Sequence, residues 1–520
     1  MDPLRKCVAI LVGVGLATTV SAAALGQTEG SPGQMALPGD QAASTEAAIS
    51  ETTVTARGHQ VAAGGSAGNL EGASCPTDFK MLSGSCHPGY TNQVRIINQY
   101  PNIALNAWRC GFKNNTSSNR SVWVYTLCGK GGLPDIVEHR LQIRRFTTTT
   151  LTNADADRIL GDATTTMQTN DGPGDVACGV SMVRDGNVAT FSTGDGSIDS
   201  SAEFSTLIGL PGWIKAVNQI NWCGGLIPNV IGCAPVPGSS LAVVRFQASL
   251  EGILWAHEFG HNKGLSHRND DPNAIMNGTI SSSRLRMTQA ECDAFRTAPL
   301  IALASQEVMP AAGESSLMPV EDFVRQIFIH GVPYDQASQY GPDAVPKLLE
   351  MLNDPAEEAW WPNIVVVLGM IGDPSVVDPM ISFIEEEMDG ELSREHYIAK
   401  TSALMSLGYV VNKTGNQKAL DYLKASINPT TWQDKDVGQA PFQASTTERS
   451  IDFSKHAILG LALSGHPEAE QALRSLQQAP ADTELGRAFQ AQVDELVSEA
   501  LDEHRRIARE GLDEYYETTQ

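Results

Sequence analysis

The stretch HEFGHNKGLSH, residues 257–267, decides how the middle of this chain folds. His257 and His261 stand four residues apart, so on a helix both imidazoles project from the same face. Two nitrogens placed in this way can bind one Zn²⁺ at about 2.0–2.1 Å. The carboxylate of Glu258, the next residue along the helix, reaches a water on the same metal. The stretch therefore predicts a helix that binds a metal ion.

A sharp turn is predicted directly after this helix. Gly264 stands three residues after His261, and glycine accepts the left-handed backbone conformation that ends a helix. The chain can then turn back and bring His267 to the metal as a third ligand. Three histidine ligands leave a fourth position open for water, which is the arrangement of a catalytic zinc site.

These residues resemble the metzincin clan of zinc endopeptidases, whose signature is H-E-x-x-H-x-x-G-x-x-H followed by a methionine turn. The helix is most similar to the adamalysin, or reprolysin-like, branch. Met276, nine residues after His267, matches the Met-turn, which in the family forms an apolar floor beneath the metal. The resemblance covers about residues 136–300. It implies one catalytic Zn²⁺ held by His257, His261 and His267.

The resemblance also implies an activity. Enzymes of this clan hydrolyse peptide bonds in a protein or peptide substrate that is bound as an extended strand, here along an antiparallel edge strand at Ser240–Gln247. Zn²⁺ activates a water and polarises the scissile carbonyl, and Glu258 acts as the general base that takes the proton of the water. We therefore expect a zinc metalloendopeptidase, a hydrolase of the EC 3.4.24 type.

Three alternatives stand beside this interpretation. Glu291 lies on a predicted helix 30 residues after His261 and can replace His267 as the third ligand. The zinc chemistry can also serve an amidase that acts on peptidoglycan peptides. Finally, the chain can be a scaffold or binding protein with a vestigial protease site, although every ligand and the base are retained. The subfamily stays open, because Arg268 stands where adamalysins usually have Asp.

Strands and helices are predicted to alternate around this segment, which is typical of a mixed α/β fold. The predicted strands are Leu141–Phe146, Val180–Val183, Val188–Phe191 and Ser240–Gln247. The predicted helices are Asn153–Met167, Trp213–Ile220, Leu250–Lys263 and Thr288–Arg296.

The first residues are typical of a secretory signal peptide. Arg5 and Lys6 precede an apolar run at 8–20 that is too short to span a bilayer, and small residues follow it. We predict a signal peptide over residues 1–26 and a secreted, extracellular protein, or a periplasmic one if the host is bacterial. Residues 27–70 are rich in Ala, Gly, Ser and Thr, which predicts a flexible linker or propeptide.

Removal of the signal peptide takes Cys7 away and leaves eight cysteines, which predicts disulfides in an oxidising compartment. Short spacings favour Cys75–Cys86, Cys110–Cys128 and Cys223–Cys233, which leaves Cys178 to pair with Cys292. The first two bonds would staple a small β module over residues 71–130. Arg109-Cys110-Gly111 also resembles the core of an inhibitory cysteine switch, although a disulfide-bonded Cys110 is favoured.

Beyond Val320 the pattern changes to paired apolar helices. Leu368-Gly369, Leu407-Gly408 and Leu459-Gly460 each close an apolar helix, at offsets of 39 and 52 residues, and a turn and a second helix follow each of them. A period of about 40 residues resembles HEAT-type α-solenoids, which stack helix pairs into long concave surfaces that bind protein partners. We predict HEAT-like repeats over residues 322–480 and a charged C-terminal helix over residues 481–520.

Charge and composition exclude several classes of protein. The net charge of −24 argues against nucleic-acid binding and against docking on anionic lipid. No apolar run after the signal peptide is long enough to span a membrane. Asp-rich loops such as Asp171–Asp175 leave Ca²⁺ open as a second ion, although no EF-hand pattern is present.

The charge and the cysteines divide the chain into two parts. Residues 321–520 hold 34 Asp or Glu against 15 Lys or Arg, whereas all nine cysteines lie at or before Cys292. The predicted fold class is therefore multidomain. A mixed α/β (α+β) metzincin-like zinc protease domain at 131–300 is followed by a linker at 301–321 and an all-α HEAT-like solenoid.

Overall fold

The computed structural model describes residues 51–89, 93–102, 105–130, 136–170, 172, 174–297, 317–477 and 483–519. The predicted signal peptide, the first part of the predicted linker at 27–70, Asp171 and most of the predicted linker at 301–321 lie outside these residues. None of the helices in the described ranges is long and apolar enough to cross a membrane.

Residues 51–130 form two three-stranded antiparallel sheets with strand orders β1-β6-β3 and β2-β5-β4. Between them lies a small core that includes Phe112, Val122 and Val124. The strands are β1 Glu51–Val61, β2 Ser66–Glu71, β3 Lys80–His87, β4 Val94–Asn102, β5 Ala107–Asn114 and β6 Arg120–Lys130.

The predicted linker is wrong from residue 51 onward, because β1 and β2 belong to this β module. Strand β1 is polar and lacks a clear apolar alternation, so its own sequence gives little sign of a strand. It is ordered by pairing along its whole length with β6, whose side chains alternate between buried and half-buried. Long-range pairing of this kind is what a local pattern misses.

The two disulfides of the β module also differ from the predicted pairs. The bonds are Cys75–Cys128 and Cys86–Cys110, not Cys75–Cys86 and Cys110–Cys128. Since β3 and β5 belong to different sheets, the Cys86–Cys110 bond ties the two sheets together, a contact that spacing along the chain does not reveal. Cys110 is therefore not a free switch thiol. The predicted bonds Cys178–Cys292 and Cys223–Cys233 are both present.

Residues 137–296 form a mixed α/β unit around a five-stranded sheet with the order β10-β8-β12-β15-β14. Its strands are parallel except for β14, the antiparallel edge. The elements are β7 Val137–Leu141, β8 Ile143–Phe146, α1 Asn153–Gln168, β9 Val180–Arg184, β10 Ala189–Phe191, β11 Ser197–Ile198, α2 Ser201–Gly209, β12 Ile214–Val217, β13 Gln219–Ile220, β14 Gly232–Cys233, β15 Leu241–Val244, α3 Glu251–Asn262, β16 Thr279–Ile280 and α4 Gln289–Arg296.

Two predictions about this sheet are wrong. The segment Trp213–Ile220, predicted as a helix, contains β12 and β13. Strand β12 lies between β8 and β15 and is buried along its whole length, and a short, fully buried run does not distinguish a strand from a helix by periodicity. The predicted edge strand Ser240–Gln247 contains β15, which lies inside the sheet, whereas the edge is β14.

Residues 320–517 are mainly helical. The elements are α5 Val320–Val324, β17 Ile327–Phe328, α6 Tyr334–Ala337, α7 Val345–Leu352, α8 Trp361–Ile371, α9 Val377–Glu385, β18 Met388–Glu391, α10 Arg394–Thr414, α11 Gln417–Ser426, α12 Thr430–Gln433, β19 Val437–Gln439, α13 Thr446–Ser464, α14 Pro467–Leu476, α15 Glu484–Glu510 and α16 Leu512–Glu517. Short 3₁₀ turns occupy Pro342–Ala344, Pro355–Trp360 and Pro374–Val376.

The repeated Leu-Gly pairs lie within helices rather than at their ends. A Cβ atom on Gly408 in α10 would overlap the backbone carbonyl of Gly460 in α13, and one on Gly369 in α8 would overlap Ser406 of α10. These glycines therefore let the backbones of successive helices approach closely. The three helices end instead at glycines with left-handed backbone, Gly372, Gly415 and Gly465.

The helical part and the α/β unit share one continuous hydrophobic core that runs from Leu141 to Tyr516. The amide of Leu226 in the α/β unit donates to the hydroxyl of Tyr515 at 2.7 Å. The carboxylate of Glu499 on α15 accepts from the amides of Ser201 and Ala202 at the start of α2. The predicted linker at 301–321 implies two independent domains. The shared core and these hydrogen bonds show instead that the two parts pack together.

We expect Gly408→Ala to destabilise the whole chain, because the added methyl group must push α10 away from α13. Overpacking of a core costs about 1–3 kcal/mol, which thermal and denaturant unfolding can measure. Gly341→Ala is the matched control, since a Cβ at Gly341 meets nothing within 4 Å. Equal stability of the two variants would contradict the close approach of the helices.

Candidate metal centre

The site is built on helix α3, every residue of which is buried. In its first turn the fully buried carboxylate of Glu251 forms ion pairs with Arg158 and Arg245. The helix packs against α1 and against strands β14 and β15. This surrounding structure fixes the position and orientation of the helix, and with them the imidazoles of His257 and His261.

The structure brings His267 to the same point as the two helix histidines. Gly264 ends the helical stretch with φ +86°, as the glycine position predicts, and the chain turns back. The Nε2 atoms of His257 and His261 lie 3.0 Å apart. The ring centroid of His267 is 5.3 Å from that of His257 and 4.9 Å from that of His261.

A fourth histidine, His330, joins this cluster. Its Nε2 atom lies 3.2 Å from Nε2 of His261 and 3.4 Å from Nε2 of His257. One nitrogen from each of the four rings falls within 4.8 Å of the others, a grouping suited to one shared metal ion. His330 is not predicted as a ligand from the sequence, because it lies in the predicted helical repeats and a single histidine carries no motif.

Hydrogen bonds to backbone carbonyls orient two of the rings. Nδ1 of His257 bonds to the carbonyl of Ile275 and Nδ1 of His261 to that of Leu265, both at 2.8 Å. A proton held on Nδ1 by a carbonyl leaves the lone pair of Nε2 free to bind a metal.

Loss of contact with water keeps these imidazoles neutral, which is the form that binds metals. His267 is an exposed residue, but its ring lies against the rings of the other three histidines. Desolvation, with the neighbouring histidines as a second cause, lowers the pKa of His257 well below its usual value and that of His261 to about 3. Desolvation lowers the pKa of His267 to about 4. The pKa of His330 is likewise held well below its usual value by burial and then by its histidine neighbours.

Glu258 contributes a carboxylate beside the cluster. It is fully buried, its Oε1 atom lies 3.8 Å from Nε2 of His330, and neither oxygen has a hydrogen-bond partner among the described residues. Burial raises the pKa of this carboxyl well above its usual value. A Cβ atom on Gly232 of strand β14 would overlap Oε1, so glycine at that position leaves room for the carboxylate.

Met276 packs against helix α3. Its side chain is fully buried, and a Cβ atom on Gly260 would overlap its sulfur. The preceding residue, Ile275, supplies the carbonyl that orients His257. The segment that follows His267 therefore packs against helix α3 through Met276, and its Ile275 carbonyl orients the ring of His257.

Two other candidate ligands lie elsewhere. Glu291 pairs with Arg268 at 2.8 Å and caps α4 at Thr288, so it is not part of the cluster. In the Asp-rich loop, one carboxylate oxygen of Asp175 accepts from the amides of Val176 and Met287. Within the described ranges, the four histidines are the one group of metal-ligating side chains close enough to share an ion.

No protein-family model matches this chain, and no curated protein sequence matches it. The function of the site must therefore be argued from its own residues. Four neutral imidazoles around one point fit a divalent transition metal, since imidazole nitrogen is a ligand that zinc, copper, iron and nickel accept.

We expect acid to destabilise the metal-free protein below about pH 6.5. In the unfolded chain His257 and His261 take up protons near that pH, whereas burial holds their pKa far lower in the folded chain. The unfolded state therefore binds more protons, and the stability present above pH 6.5 is lost as the pH falls. Each buried histidine contributes roughly 1.4 kcal/mol per pH unit to this loss.

Denaturant unfolding of chelator-treated protein, followed between about pH 4 and pH 8, measures this slope. The variant His261→Gln should show a shallower slope, because one of the protonations of the cluster is gone. Identical slopes for the variant and the parent chain would contradict the assignment.

Proposed function

We propose that this chain is a secreted zinc-dependent endopeptidase, with Glu258 as general base and the histidine cluster as its zinc site. The observation that carries the proposal is the carboxylate of Glu258. It is buried beside the histidines, and no described residue hydrogen-bonds to it. Burial of such a group without a partner is costly, so its retention indicates a role in chemistry.

The residues around Glu258 suit it to move a proton. A bound Zn²⁺ supplies Lewis acidity and lowers the pKa of a nearby water towards about 7. With the metal bound, Glu258 would take the proton of that water, and the positive charge of the ion would favour the ionised form of the carboxylate that this step needs. Since burial raises its pKa, Glu258 readily holds the proton until it passes to the leaving amine.

The resemblance to metzincins is a second support. The histidine signature, the turn at Gly264 and a buried methionine packed beneath the helix at Gly260 occur together, as they do in that clan. Four disulfide bonds are typical of proteins in oxidising compartments, which fits a secreted enzyme.

A second candidate function is favoured by His330. Zinc sites with four protein ligands are usually structural, so the chain can instead be a binding protein stabilised by its metal. The unpartnered carboxylate of Glu258 argues against this alternative, because a structural site has no use for a buried base.

We expect Glu258→Gln to keep its zinc and to lose peptide hydrolysis by a factor of roughly 10²–10⁴ or more, because the general base is gone. The assay uses the full zinc-loaded chain on a peptide library, with and without a chelator. It is run with His330 intact and in the His330→Asn background, since the imidazole of His330 lies close enough to the other three to take the fourth position on the metal.

Glu291→Gln is the matched control, because Glu291 pairs with Arg268 away from the cluster. It should remain as active as its parent. Absence of chelator-sensitive hydrolysis in both backgrounds would rule out the peptidase and leave the structural metal site.

A further inference from the structure

The segment Ile327–His330 lies between two strands that border the histidine cluster. On one side β17 pairs with β16, and the amide of Ile329 donates to the carbonyl of Gly278 at 3.0 Å. On the other side the amides of Ile231 and Gly232 donate to the carbonyl of Ile329 at 2.9 and 3.3 Å. The segment therefore fills the space between β16 and the edge strand β14.

This placement takes up the backbone groups that an extended substrate would need. A peptide bound by strand addition pairs with the free amides and carbonyls of an edge strand. Strand β14 is the antiparallel edge of the sheet, and Gly232 on it contacts Glu258. The amides of Ile231 and Gly232 both bond to the carbonyl of Ile329, so the edge nearest to the base is already paired within the chain.

The same segment delivers the fourth imidazole. Phe328 and Ile329 are buried, and they fix the backbone that carries His330. Gly331 follows with φ +82°, and a Cβ atom there would overlap Ile227, so the chain turns away directly after His330. The position of His330 is thus set by pairing on both sides, by burial before it and by a turn after it.

We propose that His330 is a fourth metal ligand and that Ile327–His330 occupies the substrate cleft, so that the folded chain is a latent enzyme. This inference rests on the proposed function, of which it describes the regulation. Four imidazoles complete a tetrahedral zinc site and leave no position for water or a substrate carbonyl. Activity requires His330 to leave the metal.

The exposure of the four ligands indicates which of them can leave. His257 and His261 are buried on helix α3, where carbonyl bonds hold their rings. His267 is exposed, and the side chain of His330 is 19% exposed. Solvent therefore reaches the cluster beside His267 and His330. Of these two, only His330 lies on the segment that covers the edge strand.

The test uses the full chain loaded with Co²⁺, whose absorption spectrum reports the ligands, and acetohydroxamate as a probe that needs an open metal position. The variant His330→Asn removes Nε2 and keeps a polar side chain at this position. His466→Asn is the matched control, because His466 caps α14 and asparagine is favoured at that position.

We expect the spectra of the parent chain and of His466→Asn to be unchanged by acetohydroxamate. The spectrum of His330→Asn should change, with at least tenfold tighter binding of the probe, and peptide hydrolysis should appear or rise at least tenfold. Equal binding of the probe by the parent chain and His330→Asn would overturn the inference, as would a parent chain that is already as active as the variant.

The outcome also separates this inference from the proposed function. If His330→Asn binds acetohydroxamate but hydrolyses no peptide, His330 is a metal ligand. The proposed peptidase activity and its proposed latency are then both wrong. If His330→Asn fails to fold, X-ray absorption at the zinc edge of the parent chain decides the ligand set. Four imidazole ligands support the inference, and three imidazoles with a water overturn it.

Discussion

Four neutral imidazoles meet at one point, and their approach links elements from both parts of the chain. Their nitrogens are too close together for the rings to carry charge, and burial removes the water that would stabilise such charge. A helix, a glycine turn, a methionine loop and a segment of the helical part must all be in place for the rings to meet. The folds of both parts of the chain are therefore tied to one point.

Much of this site can be predicted from local sequence. The spacing of His257 and His261 and the glycine at 264 fix a helix and its end, and these features depend only on neighbouring residues. The left-handed backbone at Gly264 lies where the pattern requires it. His330 escapes prediction because no local rule links it to a helix 69 residues earlier in the chain. The pairing of β17 with β16 and the bonds from Ile231 and Gly232 to Ile329 bring it there.

The same distinction explains the other differences between the sequence analysis and the structure. Strand β12 was predicted as a helix because burial on both faces removes the alternation that marks a strand. The pairing of Cys86 with Cys110 follows from how two sheets face each other, which spacing does not encode. The Leu-Gly pairs, predicted to close apolar helices, lie inside helices α8, α10 and α13. Their glycines, however, serve close contact between helices, and the helix ends lie further along the chain.

The shared hydrophobic core has a thermodynamic consequence for the metal. Three of the four imidazoles come from the α/β unit and one from the helical part, so an ion held by all four bridges the two. Binding of the ion and docking of the helices then stabilise each other by the same free energy, because linkage between two equilibria is reciprocal. The metal affinity of the chain therefore depends on helices that do not contact the ion. A variant that weakens the packing of α10 against α13 should also bind the metal less tightly.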